Sequence, residues 1–237
     1  MANKLPTPTK ALKIGTRGSP LALAQAYETR ERLSKAFDLQ FEAFEIVIIK
    51  TTGDRVLDRP LKDIGGKGLF TREIEEALLR GDIDIAVHSM KDMPVDQPVG
   101  LTLETYLPRE DVRDAFISPR AAGLTDLAEG TVVGTSSLRR RAQLLYKRPD
   151  LQVVEFRGNM QTRLKKLDDG VAEATFLAMA GLNRMKIPKV PMYAIGVDDM
   201  LPAVAQGAIT IEIACGNTAI KNILQPLNHT ETELRVR

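Results

Sequence analysis

The chain has 237 residues with 43% hydrophobic composition, which excludes a disordered chain and allows one large core or two modest ones. Its net charge of +2 excludes no class of partner, because 33 basic and 31 acidic residues nearly cancel. One cysteine excludes an internal disulfide framework, and the sequence shows neither a long apolar run nor a signal peptide, so we expect a cytoplasmic protein without a membrane partner.

Short apolar runs alternate along the chain with segments of helical periodicity. Helices are predicted over 20–37 and over 69–80, where Gly81 would provide the C-cap. The alternation predicts an α/β architecture in which the sheets are mixed and mostly parallel. In chain order, the predicted strands are 12–15, 44–50, 84–88, 131–134, 151–156, 174–179 and 208–213.

Two strand-to-helix turns have similar sequences. IGTRGSPLALAQ (14–25) and VGTSSLRRRAQ (133–143) each place Gly-Thr after a strand and a serine, Ser19 or Ser137, before a helix. This similarity predicts two related lobes, with a ligand site in the cleft between them, outside the carboxyl ends of the strands. A serine-capped helix start also attracts anions, although an ordinary cap without a ligand is the alternative.

Positive charge is concentrated between residues 134 and 166, where nine basic residues meet two acidic ones. Arg139 and Arg140 begin a predicted helix, where the helix dipole disfavours cations, so we expect them to bind an anionic ligand. A solvated basic face is the alternative. Nucleic acid is not expected as a partner, because aromatic residues are sparse in this segment and no nucleic-acid-binding motif is present.

The segment TTGDRVLDRPLKDIGGKGLF (51–70) contains GGKG but does not match a phosphate loop. Gly68 follows Lys67 where a phosphate loop has serine or threonine, and Leu61 stands where that motif has its first glycine. With three glycines in four positions and charged neighbours, the segment predicts a mobile lid.

The stretch DIAVHSMKDMP (84–94) changes abruptly from apolar to charged residues. At the carboxyl end of a strand, Lys91 and Asp92 would point into the cleft, where a partly desolvated Asp92 could transfer protons or stabilise a cation. A structural salt bridge between the two is the alternative. His88 is interpreted as a core histidine with a hydrogen-bond partner, and two histidines and one cysteine predict no metal site.

Seven segments in a characteristic order carry a family resemblance that covers nearly the whole chain. They are GTRGSPLALAQA (15–26), GGKGLFTREIEEALLRGDIDIAVHSMKDMP (65–94), REDVRDAFIS (109–118), GTSSLRRRAQL (134–144), FRGNMQTRLKKLDDG (156–170), LAMAGLNRM (177–185) and LPAVAQGAITIE (201–212). Together they resemble hydroxymethylbilane synthase, also called porphobilinogen deaminase. HSMKD combined with GTSSLRR is very specific for this family.

The resemblance implies a transferase that deaminates four porphobilinogen molecules stepwise and joins them head to tail into the linear tetrapyrrole of porphyrin and heme biosynthesis. It implies a two-lobed fold like the type II periplasmic binding proteins and a monomer whose partners are porphobilinogen and oligopyrrole intermediates. One lobe is expected over residues 1–107 and 208–225 and the other over 113–201, with 226–237 leading toward a third domain.

The resemblance also assigns site residues. Asp92 is the expected catalytic residue, which would stabilise the pyrrole cation left when ammonia departs. The residues expected to bind a dipyrromethane cofactor are Lys91, Asp92, Ser137, Arg139 and Arg140. Those expected to bind substrate, chiefly through its carboxylates, are Arg17, Ser19, Arg157, Arg163, Arg184 and Gln206.

The chain departs from the family at two positions that bear on the cofactor and on a turn. Family members hold dipyrromethane through a thioether to a cysteine in a third domain, whereas Cys215, the single cysteine, does not match that position. We therefore expect a buried or half-buried structural cysteine and a non-covalent cofactor, with Cys215 as the less favoured anchor. A two-lobed polycarboxylate- or pyrrole-binding protein, or a truncated inactive form, is the alternative function. Ala205 stands where the family usually has glycine.

Overall fold

The computed structural model describes residues 5–55, 68–187 and 191–237 of the chain. These residues form two units, the first made of Met1–Arg109 with Ala208–Arg237 and the second of Glu110–Gly207. We refer to them as unit 1 and unit 2. The chain therefore leaves unit 1 once and returns to it once.

Unit 1 contains a sheet of five strands among the described residues. Its strand order is β2-β1-β3-β10-β4, in which β1 pairs in parallel with β2 and β3, while β10 is antiparallel to β3 and β4. Four strands thus run in one direction and β10 runs against them. The strands are β1 (Leu12–Arg17), β2 (Phe44–Ile49), β3 (Ile85–Ser89), β4 (Leu101–Tyr106) and β10 (Ile209–Ala214).

Helices cover both faces of this sheet. On one face, Ile85 and Val87 of β3 pack in a core with residues of two helices, α1 (Pro20–Phe37) and α7 (Thr218–Leu224). On the other face, Ala86 packs in a cluster with residues of α3 (Arg72–Arg80). A strand covered on both faces needs apolar residues at successive positions, which accounts for the continuous run in DIAVH. The helices of unit 1 are α1 (Pro20–Phe37), α2 (Thr52–Arg55), α3 (Arg72–Arg80), α7 (Thr218–Leu224) and α8 (Thr230–Val236).

Unit 2 repeats the same topology. Its sheet has the order β7-β6-β8-β5-β9, with β6 parallel to β7 and β8, and with β5 antiparallel to β8 and β9. The strand β6 thus corresponds to β1, and β5 corresponds to β10. The elements are β5 (Asp114–Ile117), β6 (Val132–Gly134), α4 (Leu138–Lys147), β7 (Gln152–Val154), α5 (Met160–Asp168), β8 (Ala174–Ala178), α6 (Met179–Met185) and β9 (Met192–Ala194).

The repeated glycine of the two similar turns has the same packing reason in both units. A Cβ atom on Gly15 would lie 2.3 Å from a side-chain atom of Ile83, and one on Gly134 would lie 2.3 Å from the ring of Phe156. Real Cβ atoms do not approach other heavy atoms so closely, so only glycine lets these side chains cover the strand. The turns IGT and VGT therefore occupy equivalent places.

The prediction of an α/β fold with mixed, mostly parallel sheets is confirmed. All seven predicted strands form, helix α1 has the predicted bounds, and Gly81 adopts the left-handed conformation of a C-cap with φ of 77°. Three strands were missed, namely β4, β5 and β9. The predicted domain limits stay a prediction, although residues 226–237 lie within unit 1.

Candidate active site

Serines start the corresponding helices of the two units. Ser19 is the N-cap of α1, and its side chain accepts a hydrogen bond from the Ala22 N–H at 3.3 Å. Ser137 is the N-cap of α4 and accepts from the Arg140 N–H at 3.4 Å. The predicted caps are therefore present, and each follows the carboxyl end of a parallel strand, where α/β folds bind ligands.

Unit 1 contains a pocket at the carboxyl ends of β1 and β3. The predicted site residues Arg17, Ser19 and Asp92 all line it, together with Ser89. The side chain of Gln25 holds Ser89 in place through a hydrogen bond of 2.8 Å. The other lining residues are Leu21, Ala22, Gln25, Phe70, Thr71, Val87 and His88.

Arg17 is held in this pocket by a carboxylate and an aromatic ring. Its Nε donates to Oδ2 of Asp54 at 3.2 Å, its Nη2 pairs with Oδ1, and its guanidinium lies 4.2 Å from the ring centroid of Phe70. Burial raises the pKa of Asp54, but hydrogen bonds from Arg17 and Thr51 outweigh burial and hold that pKa below its usual value. Asp54 is therefore the ionised partner that orients Arg17.

Lys91 and Asp92 lie in a short 3-10 turn, Met90–Asp92, directly after β3. The Met90 N–H donates to the Ala208 carbonyl at 3.0 Å, which ties the turn to the residue that precedes β10. Both residues are exposed, and the expectation that a cleft partly desolvates Asp92 stays a prediction. Because the turn projects beyond the sheet, water reaches a carboxylate that nevertheless borders the pocket.

His88 is buried, as the sequence predicted, and its Nε2 lies 3.2 Å from Oε2 of Glu212 on β10. The histidine also borders the pocket from behind. It therefore combines a core position with contact to the site.

In unit 2, the arginines at the start of α4 meet an internal acid. Asp114, the first residue of β5, is fully buried, and its Oδ1 accepts from Arg140 Nη2 at 2.7 Å. Arg139 Nη1 lies 2.7 Å from Oδ2. Arg140 also donates to the Phe176 carbonyl at 2.9 Å. The expectation that Arg139 and Arg140 bind an anionic ligand stays a prediction, but Arg140 is 5% exposed and has protein partners of its own.

Arg163 on α5, unlike Arg140, has no acidic partner among the described residues. Burial, together with the positive charges of Arg140 and Arg157, lowers its pKa to about 10. Its Nε donates to the Gly158 carbonyl at 2.9 Å, and among the described residues no carboxylate forms an ion pair with it. Positive charge without acidic compensation makes this part of unit 2 favourable for an anion.

Two other predicted binding residues hold the backbone near the end of unit 2. Arg184 Nη2 donates to the Gly207 carbonyl at 3.0 Å. The Gln206 side chain is 1% exposed and donates to the Val112 carbonyl at 2.7 Å and to Asp114 at 3.0 Å. Gln206 is therefore part of the Asp114 network.

Cys215 is exposed, so the expectation of a buried or half-buried cysteine is wrong. It follows the carboxyl end of β10, whose first residue, Ile209, pairs with Ser89 beside the pocket. Because β10 is antiparallel to β3, the carboxyl end of β10 lies at the end of the strands opposite to the pocket. Six residues at about 3.4 Å each separate Cys215 from the pocket edge by roughly 20 Å.

Within the described residues, no group of three or more histidine, cysteine, aspartate or glutamate side chains could hold a metal ion. Over the same ranges, no helix has the length and apolar character needed to cross a bilayer. The predicted lid, 51–70, falls largely on residues 56–67, outside the described residues. The predicted cleft between the lobes likewise stays a prediction.

The arrangement of these sites can be compared with known proteins. The family model described as porphobilinogen deaminase, dipyromethane cofactor binding domain, matches residues 12–222. The chain belongs to the porphobilinogen deaminase family. A relative from Paracoccus denitrificans named porphobilinogen deaminase is 62% identical over 98% of this chain and 74% of its own length. A chloroplastic relative from Oryza sativa subsp. japonica with the same name is 59% identical over 95% of this chain and 63% of its own length. The family prediction is thus confirmed.

Solved structures support the predicted fold. The methionine-binding protein MetQ matches with a TM-score of 0.55 and 15% identity, over 96% of this chain and 94% of that protein. At this identity the likeness shows the fold alone. It confirms the prediction of a two-lobed, periplasmic-binding-protein-like architecture.

Four residues of the two sites were missed by the sequence reasoning. Asp54 and Phe70 lie within the segment predicted as a lid, 51–70, and the sequence analysis assigned no role to Asp114 within REDVRDAFIS (109–118). Glu212 was read only as part of a strand. The available signal was weak but present, because an acidic residue inside an apolar strand, as in AITIEI, needs a buried partner.

Proposed function

We propose that this chain is a hydroxymethylbilane synthase, which deaminates porphobilinogen and condenses four molecules into a linear tetrapyrrole. The family membership confirms the prediction of a transferase of porphyrin biosynthesis. The single structural observation that carries the proposal is the half-buried guanidinium of Arg163, which forms an ion pair with no carboxylate among the described residues. Each porphobilinogen brings an acetate and a propionate, so a growing chain is a polyanion that suits such a site.

Asp92 is the proposed catalytic residue. Its carboxylate is exposed at the pocket that Arg17 and Ser19 also line, so a substrate can reach it. When ammonia leaves porphobilinogen, positive charge develops on the remaining methylene-pyrrole group. A fixed carboxylate beside that group stabilises the developing charge and can accept a proton when the next ring has attacked.

The carboxylates of the substrate chain are proposed to bind arginines. Arg17 has its Nε edge occupied by Asp54, which leaves its remaining N–H groups for a ligand. Arg157 and Arg163 supply charge in unit 2, and Ser19 and Ser137 supply capped helix starts. Arg184 and Gln206 keep their proposed role through the backbone segment that they hold.

Dipyrromethane is the cofactor of the family, and the residues present fit it. A dipyrromethane with four carboxylates matches a donor set rich in cations, of which Arg163 has no carboxylate partner within the described part of the chain. Lys91, Asp92, Ser137 and Arg139 are proposed to hold it, with Arg140 acting through Asp114. When bound, this cofactor primes the growing chain.

We propose that this cofactor is held without a covalent bond. The distance of roughly 20 Å along β10 between Cys215 and the pocket edge argues against Cys215 as its anchor. Non-covalent binding loses the effective concentration that a tether provides, so the arginines would have to supply the affinity. We further propose a cytoplasmic monomer.

The decisive experiment is turnover of porphobilinogen by the purified protein. Product is measured as uroporphyrin absorbance after oxidation, with dipyrromethane or preformed bilane added in parallel. Asp92→Asn should lower kcat at least about 100-fold and leave ligand binding in place. Asp96→Asn, which changes a neighbouring exposed aspartate, serves as the matched control.

The alternative is a two-lobed polycarboxylate- or pyrrole-binding protein without turnover. Absence of product under every priming condition, with binding of porphobilinogen retained, would favour this binding module. Equal activity of Asp92→Asn and the control would remove Asp92 from its proposed role.

A further inference from the structure

Three titratable side chains are buried behind the pocket of unit 1. Glu75 of α3 is 7% exposed, His88 of β3 is 6% exposed, and Glu212 of β10 is 0% exposed. His88 also borders the pocket that contains Asp92. Ionisable groups are rarely buried without a purpose or a partner, and the proposed chemistry uses none of these three directly.

The strand register explains why His88 and Glu212 meet. In the antiparallel pair of β3 and β10, Thr210 lies opposite His88 and Glu212 lies opposite Ala86. The diagonal neighbours His88 and Glu212 therefore share one face of the sheet, with 3.2 Å between Nε2 and Oε2. The same face carries Ala86, which packs in the α3 cluster, so Glu75 on that helix approaches the pair.

The hydrogen bonds of this cluster are incomplete. Within the described ranges, Oε1 of Glu75 and Oε1 of Glu212 are both buried without a hydrogen-bond partner. Two ionised carboxylates sharing one histidine would leave a net negative charge in a region that water does not reach. Such a charge is strongly destabilising. A proton on one carboxylate removes that cost.

Glu75 is the group on which this proton fits best. Burial raises the pKa of Glu75, and the negative charge of Glu212 raises it further. The side chain of Thr71 and the charge of His88 act in the opposite direction but do not reverse the shift. Glu212, in contrast, has His88 as a direct partner.

Other charged groups around Glu75 do not change this assignment. On its own helix, Glu76 also raises the pKa of Glu75. The strand β1, which also packs against α3, ends in Arg17, whose charge is paired with Asp54. The basic side chain that contacts the carboxylates of this cluster is therefore that of His88.

The cluster is connected to Asp92 through the backbone. Ser89 follows His88, and the turn with Asp92 follows Ser89. The Met90 N–H donates to Ala208, which directly precedes β10, the strand that carries Glu212. The His88–Glu212 contact thus clamps together the two strands from which the turn projects.

We propose that Glu75 is a protonated, neutral acid in the folded protein, and that it allows His88 and Glu212 to act as a positioning pair for Asp92. This inference rests on the proposed catalytic role of Asp92. Ionisation of Glu75 would give His88 a second acidic partner and weaken the clamp between β3 and β10. His88, Glu75 and Glu212 are positioning residues in this proposal and need not touch the substrate.

The proton on Glu75 is tested by stability measurements. A raised folded-state pKa means that the stabilising effect of the proton is complete below the unfolded value, near 4.5, and is lost as pH rises through the folded-state value. Glu75→Gln has a neutral side chain of the same shape and does not titrate. Its free energy of unfolding, relative to the unmodified protein, should therefore rise with pH above about 4.5 and then level off.

Glu76→Gln is the matched control, since Glu76 is the next residue and lies in an exposed pair with Arg72. Its stability difference from the unmodified protein should not show this rise. A pH-independent difference for Glu75→Gln would overturn the proposal. These stability measurements need no turnover, so they distinguish a failure of this inference from a failure of the proposed function.

The positioning role is tested with Glu212→Gln. Loss of the ion pair should lower kcat about tenfold or more, while KM for porphobilinogen changes less than about twofold. The chain has two histidines, so the His88 imidazole signals in NMR spectra can be assigned with His229→Gln. These signals should shift in Glu212→Gln and stay in place in Glu76→Gln. Unchanged kcat in a folded Glu212→Gln would refute the positioning role. If that variant does not fold, the stability measurements on Glu75→Gln still decide whether Glu75 carries the proton on which the proposal depends.

Discussion

The guanidinium of Arg140 and the carboxylate of Asp114 form a buried ion pair, with 2.7 Å between Nη2 and Oδ1. The two residues are 26 positions apart and join the start of α4 to the start of β5. Burial lowers the pKa of Arg140, while the neighbouring carboxylate opposes that shift. The pair thereby fixes the start of α4, where Ser137 is the N-cap and Arg139 lies in the first helical turn.

Asp114→Asn should destabilise the protein strongly, because it leaves Arg140 buried without a counter-charge. We expect the free energy of unfolding to fall by about 3–5 kcal/mol, measured by denaturant titration. Glu173→Gln removes the exposed pair with Arg120 and should cost at most about 1 kcal/mol. Similar losses in both variants would contradict a special role for the buried pair.

The same pair predicts a dependence of stability on acid. Burial raises the pKa of Asp114, but Arg140, Arg139 and Gln206 outweigh burial and hold it below 3.8. The stabilisation by the ionised carboxylate is therefore present above pH 3.8 and is lost as pH falls through the lower, folded-state value. Thermal unfolding at acidic pH should show this loss in the unmodified protein, and Asp114→Asn should lack that component.

Arg163→Gln should separate binding from stability. Removing a half-buried cation that forms no ion pair among the described residues relieves a cost of folding, so stability should stay level or rise. The same change removes charge from the proposed carboxylate site, and KM for porphobilinogen should rise about tenfold. Arg141→Gln, which changes an exposed arginine of the same basic segment, is the control and should leave both quantities near their starting values. A loss of stability without a change in KM would argue against the binding role.

Ala205→Gly should stabilise unit 2. Ala205 has a φ of 57°, in the left-handed region that disfavours residues with a Cβ atom. We expect a gain of about 0.5–1 kcal/mol after the greater flexibility of glycine in the unfolded chain is subtracted. Ala203→Gly, at a position outside the left-handed region, should destabilise instead. Equal effects of the two changes would show that backbone strain at Ala205 is negligible.

Cys215→Ser should leave the cofactor in place. Cys215 is exposed at the end of the strands opposite to the pocket. Its thiol should therefore react with iodoacetamide in the folded protein without loss of turnover. Mass spectrometry under native conditions should show bound dipyrromethane in both proteins, and denaturing conditions should release it. A covalent adduct that persists on denaturation and disappears in Cys215→Ser would overturn non-covalent binding.

Local patterns in the sequence determined much of each unit. The helix α1 was predicted with its observed bounds because Ser19, Pro20 and the apolar periodicity all act within a few residues. The strand β3 was predicted because burial on both faces requires a continuous apolar run. The strand β5 was missed because it is short and begins with Asp114, a polar residue whose partner lies far along the chain.

The family, the enzyme class and the pocket residues Arg17, Ser19 and Asp92 were accessible from the sequence, because each lies in a contiguous motif. Only the tertiary structure decided which charges are compensated. The insertion of β10 between β3 and β4 brings Glu212 to His88, and the position of β5 beside β8 brings Asp114 to Arg140. These pairings depend on strand order and register, which join residues distant in sequence and leave no local pattern.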